Sequence, residues 1–500
     1  MLTRLRVRGF KNLADVDIPF GPFTCVAGAN GVGKSNLFDA ILFLSQLADR
    51  PLLDAAAAIR GDGRAWDVRG LFHRVGMLHT DRMSFEVEML VPAVGVDDLG
   101  QEARATFTFL RYALELVWRP EREAPGLSPM QVAREELTAF TRDEAREKLG
   151  AFGASRPWMD SVLRGPGRRG NQQGKAPFIS TELGQASNGG GPTPTIIRLH
   201  QDGTGGRPRT LRADQLPRTV LSGANASESP TVLLARREMQ SWRALQLEPS
   251  ALRTPDSWQA PPRLSSNGSH LAATVARLAR VRPDMDGAPV GAPEVLASLA
   301  ARLSELLEDV GAVVIDADSR RELYTLLVTD RLGTRHEARS LSDGTLRFLA
   351  LAVLDLDPEA HGTLCLEEPE NGFHPSRIPS LLALLDGLAA DPSGVDSENL
   401  LRQIIINTHS PSVVAHVTDQ DLIVASTKKV RADGTFAPVA NFEWLHGTWR
   451  HRTLPDRRPV APGKLAAYLG IRTASGPRSR GGVSVIDRDD LQWILPGTAD

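Results

Sequence analysis

Apolar residues recur at every second position near the start of the chain, around Leu5 and Val7 and again around Val16 and Ile18. A period of two is typical of strands that bury one face. A third apolar run, FTCVAG, leads into a glycine-rich loop, and the segment SNLFDAILFLSQL that follows has the wide apolar face of a helix. The beginning of the chain therefore predicts strands, a loop and a helix in that order.

The same alternation returns in the segments MSFEVEMLV and TFTFLRYALELVW, which predict an antiparallel sheet running from Met83 to Trp118. In the final third, three short apolar runs, TLCLEE, QIIINTH and DLIVAST, are separated by helical segments. Such runs are typical of parallel strands that are buried on both faces. The two patterns together predict an α/β fold with mixed antiparallel and parallel sheets and flanking helices.

The middle of the chain has a different pattern, in which helical segments alternate with stretches rich in Gly, Pro and Asn. REELTAFTRDEAREKLGAF predicts a helix, whereas RGPGRRGNQQGKAP and SNGGGPTPT predict loops. Helical runs (SHLAATVARLARV and PEVLASLAARLSELLEDVG) and strand-like runs (AVVIDAD and ELYTLLVTD) follow. We therefore predict an N-terminal lobe at residues 1–120, a largely helical and loop insertion at 121–300, a C-terminal lobe at 301–430 and an extension at 431–500.

The composition is that of a globular chain with two or three domains, or one large domain with insertions: 41% of its 500 residues are hydrophobic and 24% are charged. The 58 basic and 60 acidic residues give a net charge of -2, which lacks the basic footprint of a protein that coats nucleic acid. Arg164, Arg168, Arg169 and Lys175 form a small basic cluster. A solvated loop explains this cluster more simply than a nucleic-acid contact, which generally needs several phosphate contacts on one face.

The two cysteines, Cys25 and Cys365, each lie in a strand-like apolar run. They are predicted to be buried core residues rather than a disulfide or a metal site, which fits a reducing cytoplasm. The N-terminus has no apolar signal region, and no run of about 18 apolar residues occurs, so we expect no membrane segment. The expected location is the cytoplasm.

The segment GANGVGKS, from Gly28 to Ser35, matches the pattern G-x-x-x-x-G-K-[ST] between a predicted strand and a predicted helix. Because glycine has no Cβ, we expect Gly28, Gly31 and Gly33 to adopt positive φ and let backbone N–H groups surround phosphate oxygens at the helix N-terminus. Lys34 would reach the β- and γ-phosphates, and the Ser35 hydroxyl would bind Mg²⁺. The segment therefore predicts a nucleotide site.

Two adjacent carboxylates, Glu367 and Glu368, end the strand in TLCLEEPENGFHP. An exposed charge pair would explain them in isolation, but beside a nucleotide site one can hold Mg²⁺ and the other can orient and deprotonate the attacking water. We assign Glu367 to the metal and Glu368 to the water. The strand QIIIN ends at His409, in the position where α/β sheets present ligand-binding groups, so His409 is predicted to donate to the γ-phosphate.

The segment LSDGTLRFLAL places Ser342 and Gly344 at the start of a predicted apolar helix, which forms a second loop suited to an anion. The segments GANGVGKSN, LSDGTLR, LCLEEPENGFHP and NTHSP resemble, in that order, the Walker A, signature, Walker B with D-loop, and switch-histidine motifs of ABC-type ATPases of the SMC, RecF and OLD group. Within that group the chain looks most like stand-alone bacterial ATPases of phage-defence systems, the PtuA type of Septu systems included.

This resemblance implies an ABC-type ATPase head with a P-loop NTPase fold, ATP and Mg²⁺ as cofactors, and two heads that meet face to face. Each signature loop, through Ser342 and Gly344, would cap the nucleotide held by the partner's Walker A, and Asn371 would lie near the junction. The implied metal ligands are Ser35 and Glu367. The implied nucleotide contacts are Asn30, Gly31, Gly33, Lys34, Ser35, Asn36, Ser342 and Gly344, and the implied catalytic residues are Lys34, Glu368 and His409.

The chain departs from the pattern of these ATPases in two respects. Glu367 stands where many ABC enzymes have Asp, so its reach is one methylene longer. In addition, the usual interval after the P-loop helix offers DVRGLFHRVG and no evident Q-loop glutamine.

The first functional hypothesis is an ATP-hydrolysing dimer, or higher homo-oligomer, that gates a separate effector such as a nuclease in bacterial phage defence. The alternative is a DNA-repair or chromosome-handling ATPase that binds duplex DNA directly. A third possibility, in which the chain itself cuts nucleic acid through Asp487 and Asp489, is disfavoured because little sequence follows them. The basic residues near the end indicate either a basic surface that a partner contacts or no particular function, with the surface slightly favoured: His446, Arg450, His451, Arg457 and Arg458.

Overall fold

A computed structural model gives the fold of the chain. It describes residues 1–59, 68–76, 78–120, 128–165, 177–184, 193–202, 206–280, 282–283, 289–290, 293–305, 309–394, 401–432, 435–461, 463 and 465. Arg168, Arg169, Lys175, Asp487 and Asp489, which figured in the sequence-based hypotheses, lie outside these ranges.

The strands are named in chain order. They are β1 (Leu2–Phe10), β2 (Leu13–Pro19), β3 (Phe23–Ala27), β4 (Arg74–Val75), β5 (Leu78–His79), β6 (Arg82–Leu90), β7 (Val94–Val96), β8 (Glu102–Arg104), β9 (Phe109–Trp118), β10 (Met130–Ala139), β11 (Ile179–Leu183), β12 (Thr195–Leu199), β13 (Arg209–Arg212), β14 (Arg243–Leu245), β15 (Asp256–Ser257), β16 (Arg282–Pro283), β17 (Pro289–Val290), β18 (Val310–Asp318), β19 (Leu323–Asp330), β20 (Arg335–Glu337), β21 (Thr363–Glu367), β22 (Gln403–Thr408), β23 (Leu422–Ala432) and β24 (Thr435–Glu443).

The helices are named in the same way. They are α1 (Lys34–Leu47), α2 (Leu52–Ala57), α3 (Arg142–Gly150), α4 (Arg156–Val162), α5 (Pro230–Gln240), α6 (Pro249–Leu252), α7 (Leu271–Leu278), α8 (Pro293–Ser304), α9 (Asp343–Leu356), α10 (Ile378–Leu388), α11 (Pro411–His416) and α12 (Trp449–Thr453).

A six-stranded sheet in the order β14-β21-β22-β3-β23-β24 forms the centre of the fold. The first five strands are parallel, and β24 is antiparallel to β23. Every residue of β3 and β22 is buried, as expected for strands covered on both faces. The prediction that the runs TLCLEE, QIIINTH and DLIVAST form parallel strands is confirmed.

An eight-stranded sheet in the order β13-β12-β11-β10-β9-β6-β1-β2 lies on one side of this central sheet. Its neighbouring strands are antiparallel, and β6 pairs with β9 along the whole of β6, which confirms the predicted sheet between Met83 and Trp118. Helix α1 lies between the two sheets, because its residues Leu37 and Ile41 share one core with Val7 of β1 and Ile405 of β22. The P-loop helix is thereby held on both sides.

The opposite face of the central sheet packs on α9 and α10 in a second core, which includes Leu349, Leu385 and Leu364. Helices α7 and α8 and the four-stranded sheet of β15, β19, β18 and β20 complete this layer. Both cysteines are free and buried, as predicted, and they lie in different cores: Cys365 faces α1 and Cys25 faces α9.

The prediction that REELTAF is helical is wrong for its first six residues. Arg134–Ala139 is the second half of β10, which pairs with β9 from Leu110 to Trp118, and only the following segment forms helix α3. Long-range pairing overrides the local helix preference of this segment. The middle of the chain thus supplies strands to both large sheets, through β10 to β13 and through β14. The division into four predicted regions stays a prediction.

None of the helices in the described part of the chain is long and apolar enough to cross a bilayer.

Candidate functional site

The carboxyl ends of β3, β14, β21 and β22 meet at one edge of the central sheet, because these strands are parallel. The P-loop follows β3, and Glu367 and His409 stand at the ends of the next two strands. A cavity of about 580 Å³ opens at this edge. Its lining includes the predicted site residues Asn30, Gly31, Gly33, Lys34, Ser35, Asn36, Glu367, Glu368 and Asn371.

The P-loop needs glycine for two different physical reasons. Gly33 has φ +112°, and a Cβ there would lie 2.7 Å from Ala440 Cβ. Gly31 also has positive φ, as predicted. The expectation of positive φ is wrong for Gly28, which is absent from the positive-φ glycines of the described residues. A Cβ at Gly28 would instead lie 2.4 Å from the carbonyl oxygen of Ala425 on β23, so close packing requires glycine there.

Lys34 is buried at the first position of α1. Its Nζ donates hydrogen bonds to the carbonyl oxygens of Gly28 at 2.6 Å and Ala29 at 3.0 Å. Burial lowers the pKa of its ammonium group, while the carboxylates of Glu368 and Glu370 act in the opposite direction. These hydrogen bonds hold the Lys34 ammonium group at the wall of the cavity, where it can bind phosphate groups.

The turn between β1 and β2 supports the P-loop, a contact that sequence reasoning missed. Asn36 Nδ2 donates to Asn12 Oδ1 at 2.8 Å, and a Cβ at Gly33 would lie 2.8 Å from both amide atoms of Asn12. Lys11 Nζ donates to Asp39 Oδ2 of α1, also at 2.8 Å. The antiparallel sheet thus fixes the start of α1 through this turn.

Glu368 lies just beyond β21 with φ +47°, an uncommon conformation for a residue with a side chain. The backbone N–H of Glu368 donates to the carbonyl oxygen of Asn407 on β22 at 3.0 Å. This hydrogen bond to the neighbouring strand stabilises the positive φ of Glu368. Asn371 Nδ2 donates to Glu368 Oε2 at 2.9 Å, and His409 Nδ1 lies 2.6 Å from Glu368 Oε1. The structure therefore brings the predicted general base and the switch histidine together.

The electrostatics around Glu368 keep its carboxyl group ionised. Partial burial raises the pKa of this carboxyl group, but hydrogen bonds from Asn371 and His409, with the positive charge of Lys34, outweigh burial and lower the pKa overall. The side chain is consequently ionised at neutral pH. An ionised carboxylate beside a phosphate cavity can accept a proton from an attacking water.

The buried carboxyl group of Glu370 connects the loop after β21 to the end of β22. Thr408 Oγ1 donates to Glu370 Oε1 and accepts from the backbone N–H of Ser410 at 2.9 Å. Burial raises the pKa of Glu370. Glu370 thereby braces the loop that carries His409 against the loop that carries Glu368.

Gln246 follows β14 and lines the cavity, although the local sequence gives no sign of this position. Strand β14 pairs in parallel with β21, so that Leu245 lies opposite Leu366 and Gln246 stands beside the acidic strand end. Gln246 therefore lines the same cavity as Lys34 and Glu367. The three-residue strand RAL is too short to give a periodic signal, so only the sheet pairing identifies it.

The signature residues lie outside this cavity. Ser342 is exposed as the N-cap of α9, and its Oγ accepts from the backbone N–H of Thr345 at 3.2 Å. A Cβ at Gly344 would lie 2.6 Å from the carbonyl oxygen of Gly372, so α9 packs directly on the loop after Glu368. Among the described residues that line the cavity, neither Ser342 nor Gly344 is found.

The prediction of a basic surface near the end of the chain is wrong for Arg450. This side chain is completely buried and donates to the carbonyl oxygen of Pro19 and to Thr24 Oγ1, at 3.0 and 2.9 Å. Burial lowers the pKa of Arg450 to about 10. Arg450 therefore anchors α12 to the start of β3 instead of facing a partner.

Comparisons with known proteins agree with this geometry. The family described as "AAA domain, putative AbiEii toxin, Type IV TA system" matches residues 23–152 and 206–415, which is more than half of the chain. An OLD nuclease of Thermus scotoductus is 49% identical over 41 residues, which are 8% of this chain and 8% of that protein.

Two DNA replication and repair proteins RecF also match. The protein of Phocaeicola vulgatus is 33% identical over 75 residues, which cover 14% of this chain and 20% of the relative. The protein of Magnetococcus marinus is 42% identical over 67 residues, which cover 13% and 17%. The matched stretches thus span at most one fifth of the length of any of these three relatives.

Solved structures of SMC heads align over most of the chain at low similarity. An SMC head bound to the C-winged helix domain of ScpA is 13% identical, with a TM-score of 0.40 and coverage of 88% of this chain and 98% of that one. The SMC head domain from Thermotoga maritima is 12% identical, with a TM-score of 0.35 and coverage of 89% and 99%. The family match covers more than half of the chain, so the chain belongs to this AAA domain family, and short stretches of it are similar to members of the OLD and RecF proteins.

Proposed function

We propose that the protein hydrolyses ATP to ADP and phosphate as a homodimer in which each copy completes the other's catalytic centre. The observation that carries this proposal is that the predicted P-loop and Walker B residues lie in the cavity, while the predicted signature serine lies outside it. Lys34 and Glu368 share one cavity, whereas Ser342 is exposed at the start of α9 and does not line it. A serine hydroxyl at a helix N-terminus can stabilise phosphate charge, but it has to approach a nucleotide that another copy holds.

Within one copy, the P-loop is proposed to bind the triphosphate. Backbone N–H groups after Gly31 and the ammonium of Lys34 would contact phosphate oxygens, since Lys34 already lies over the loop. Ser35 and Glu367 line the same cavity and offer the oxygen ligands that Mg²⁺ prefers. In the described part of the chain no cluster of three His, Cys, Asp or Glu residues could hold a metal alone, which suits an ion that is shared with phosphate groups and water. When bound, Mg²⁺ would neutralise phosphate charge.

Glu368 is proposed to orient and deprotonate the attacking water. Asn371 and His409 each occupy one oxygen of its carboxylate, at 2.9 and 2.6 Å, and so restrict its rotation. We propose that His409, which holds this carboxylate, donates to the γ-phosphate when ATP is bound. Such positioning is the main contribution that a protein makes to phosphoryl transfer.

A mixing experiment tests the shared catalytic centre. Lys34→Ala removes the P-loop cation and Ser342→Arg places a bulky cation at the signature, so each variant should be inactive alone. In a mixed dimer, the P-loop of the Ser342→Arg copy faces the intact signature of the Lys34→Ala copy. We expect ATPase activity to return on mixing, in proportion to the mixed dimers that form. If the Ser342→Arg variant alone is fully active, or activity does not return in mixed dimers, the proposal is wrong.

We further propose that the ATP-bound dimer gates a separate effector, such as a nuclease, in bacterial phage defence. ATP would hold the two copies together and hydrolysis would release them, so that the nucleotide state decides which surface a partner meets. The support for this role is the likeness to stand-alone defence ATPases. A nuclease gene beside this one, whose product is active only with ATP-bound protein, would support the role; an effector active regardless of Lys34→Ala would contradict it.

The second candidate is an ATPase of DNA repair that binds duplex DNA across the dimer, and the two RecF relatives favour it. This candidate predicts ATP-dependent DNA binding that weakens by at least about tenfold between 50 and 200 mM salt, because several phosphate contacts release counterions. Fluorescence anisotropy with a labelled duplex and the Glu368→Gln variant measures it. No binding at low salt would exclude this candidate.

A further inference from the structure

Arg347 joins three segments that surround the cavity. It lies on α9, five residues after Ser342, and its half-buried side chain is part of the cavity lining. Arg347 Nε donates to the carbonyl oxygen of Leu247 at 3.0 Å, and its Nη1 donates to the carbonyl oxygen of Asn371. Leu247 follows Gln246 at the end of β14, and Asn371 follows Glu368.

These contacts continue to the general base. Asn371 accepts from Arg347 through its backbone and donates to Glu368 Oε2 through its side chain at 2.9 Å. Glu368 Oε1 is in turn 2.6 Å from His409 Nδ1. A continuous series of hydrogen bonds therefore runs from the signature helix to the residue proposed to activate water, all within one copy.

The packing around this series leaves little freedom between α9 and the loop. A Cβ at Gly344 would lie 2.6 Å from the carbonyl oxygen of Gly372, and Arg347 Nη1 lies 3.8 Å from a Cβ built at Gly372. A small shift of α9 must consequently move the carbonyl of Asn371 or break its bond with Arg347. Interfaces packed this closely transmit small displacements rather than absorb them.

A simpler explanation of Arg347 is that it only stabilises the packing of α9 on its neighbours. The same helix has an arginine contact of that kind. Arg302 of α8 pairs with the carboxylate of Asp355 near the end of α9, at 2.6 Å. Arg347 differs because both of its partners are backbone carbonyls and because, among the described residues, it makes no ion pair. Arg347 therefore joins two backbone segments and does not serve to neutralise a carboxylate.

We infer that Arg347 is a positioning residue that makes one copy's general base respond to the nucleotide held by the other copy. The inference rests on the proposed function. When the start of α9 contacts the partner's nucleotide, Arg347 holds Asn371 so that its amide keeps the Glu368 carboxylate in place. Release of that contact lets α9 and the loop after Glu368 separate. The two catalytic centres are then coupled, and a copy hydrolyses its own ATP faster while its signature is engaged than while it is free.

The Arg347→Met variant tests this coupling, because it keeps the aliphatic stem and loses both donors. We expect kcat to fall by about tenfold while KM for ATP changes by less than about twofold, since the lost contacts act on the base and not on nucleotide binding. The Hill coefficient for ATP should fall toward one. Arg347→Lys, which can reach only one carbonyl, should recover part of kcat. Arg302→Met is the matched control and should leave kcat, KM and the Hill coefficient unchanged.

A double-mutant cycle with Asn371→Ala separates positioning from a general effect on packing. If Arg347 acts through Asn371, the double variant should lose no more kcat than the worse single variant. If the losses of kcat in the two single variants multiply in the double variant, the inference is wrong. It is also wrong if kcat of Arg347→Met stays within twofold of that of the unaltered protein, or if only KM changes. If Arg347→Met does not fold, as judged by its melting temperature, Arg347→Lys and Asn371→Ala provide the same cycle.

The outcomes also distinguish this inference from the proposed function. If the unaltered protein is fully active as a single copy, the proposed dimer is wrong and the coupling falls with it. If Ser342→Arg abolishes activity and mixing restores it, but Arg347→Met turns over normally, the dimer stands and the role of Arg347 is refuted.

Discussion

Replacing Glu135 with glutamine perturbs a buried carboxyl group that holds the antiparallel sheet to the segment after it. Glu135 lies on β10 and is completely buried. Its Oε1 accepts from the Leu221 N–H at 2.8 Å and the Tyr112 hydroxyl at 3.1 Å, and its Oε2 accepts from the Val220 N–H at 2.7 Å. Burial raises the pKa of Glu135 to about 7, although these hydrogen bonds act in the opposite direction.

The sign of the pH dependence follows from this shift. Because the folded-state pKa of about 7 is above the ordinary value of 4.5, the unfolded chain releases this proton first as the pH rises. The contribution of Glu135 to the free energy of unfolding is therefore largest below pH 4.5, decreases between pH 4.5 and 7, and is constant above that. Each pKa unit corresponds to about 1.4 kcal/mol, so the total decrease is about 3 kcal/mol.

Urea unfolding of the unaltered protein and the Glu135→Gln variant, followed by tryptophan fluorescence from pH 4.5 to 8, measures this decrease. The amide of the variant does not titrate, so the difference in free energy of unfolding between the two proteins should fall by about 3 kcal/mol as the pH rises. Glu136→Gln is the matched control, because it removes only a partly exposed pair with Arg134, worth at most about 1 kcal/mol. A difference between the unaltered protein and Glu135→Gln that stays constant, or increases with pH, would show that folding does not raise the pKa of Glu135.

Three further predictions concern the cavity. Glu368→Gln should bind ATP and accumulate as a dimer while kcat falls by at least about 100-fold, and normal turnover would exclude Glu368 as the base. Gly33→Ala should abolish binding of a fluorescent ATP analogue, because the added Cβ would lie 2.7 Å from Ala440 Cβ at φ +112°, whereas Gly70→Ala, with nothing within 4 Å, should bind normally. Gln246→Ala should lower kcat by about tenfold and leave ATP affinity unchanged; an unaltered kcat would show that Gln246 has no part in catalysis.

The parts of the fold and site that the sequence predicts are those encoded within a short stretch of chain. The P-loop is one, because eight consecutive residues specify its turn, its lysine and its helix start. The parallel strands are another, because burial on both faces makes each a nearly continuous apolar run. Glu368 and His409 are each predicted to serve the nucleotide site for the same reason: each follows such a run, and parallel strands bring their carboxyl ends together.

Contacts between distant segments were not predictable in this way. Gln246 reaches the cavity only because three residues of β14 pair with β21, far along the chain. Asn12 touches Gly33 through a turn whose sequence shows no sign of that contact. Glu135 lies in REEL, which resembles an exposed helical stretch, yet pairing with β9 makes it a strand and buries the carboxyl group. In each case tertiary pairing decides the outcome, and local preference has little influence.

The burial of both thiols has a practical consequence for studying the pair of copies. Cys25 and Cys365 lie in separate cores, and burial raises the pKa of each thiol, so neither supplies a reactive thiolate at neutral pH. A single cysteine introduced at the exposed Ser342 would then be the one reactive sulfur on a chain that has two native cysteines. Bifunctional maleimides or spin labels at position 342 can report the distance between the N-terminal ends of α9 in the two copies. The native cysteines do not have to be replaced first.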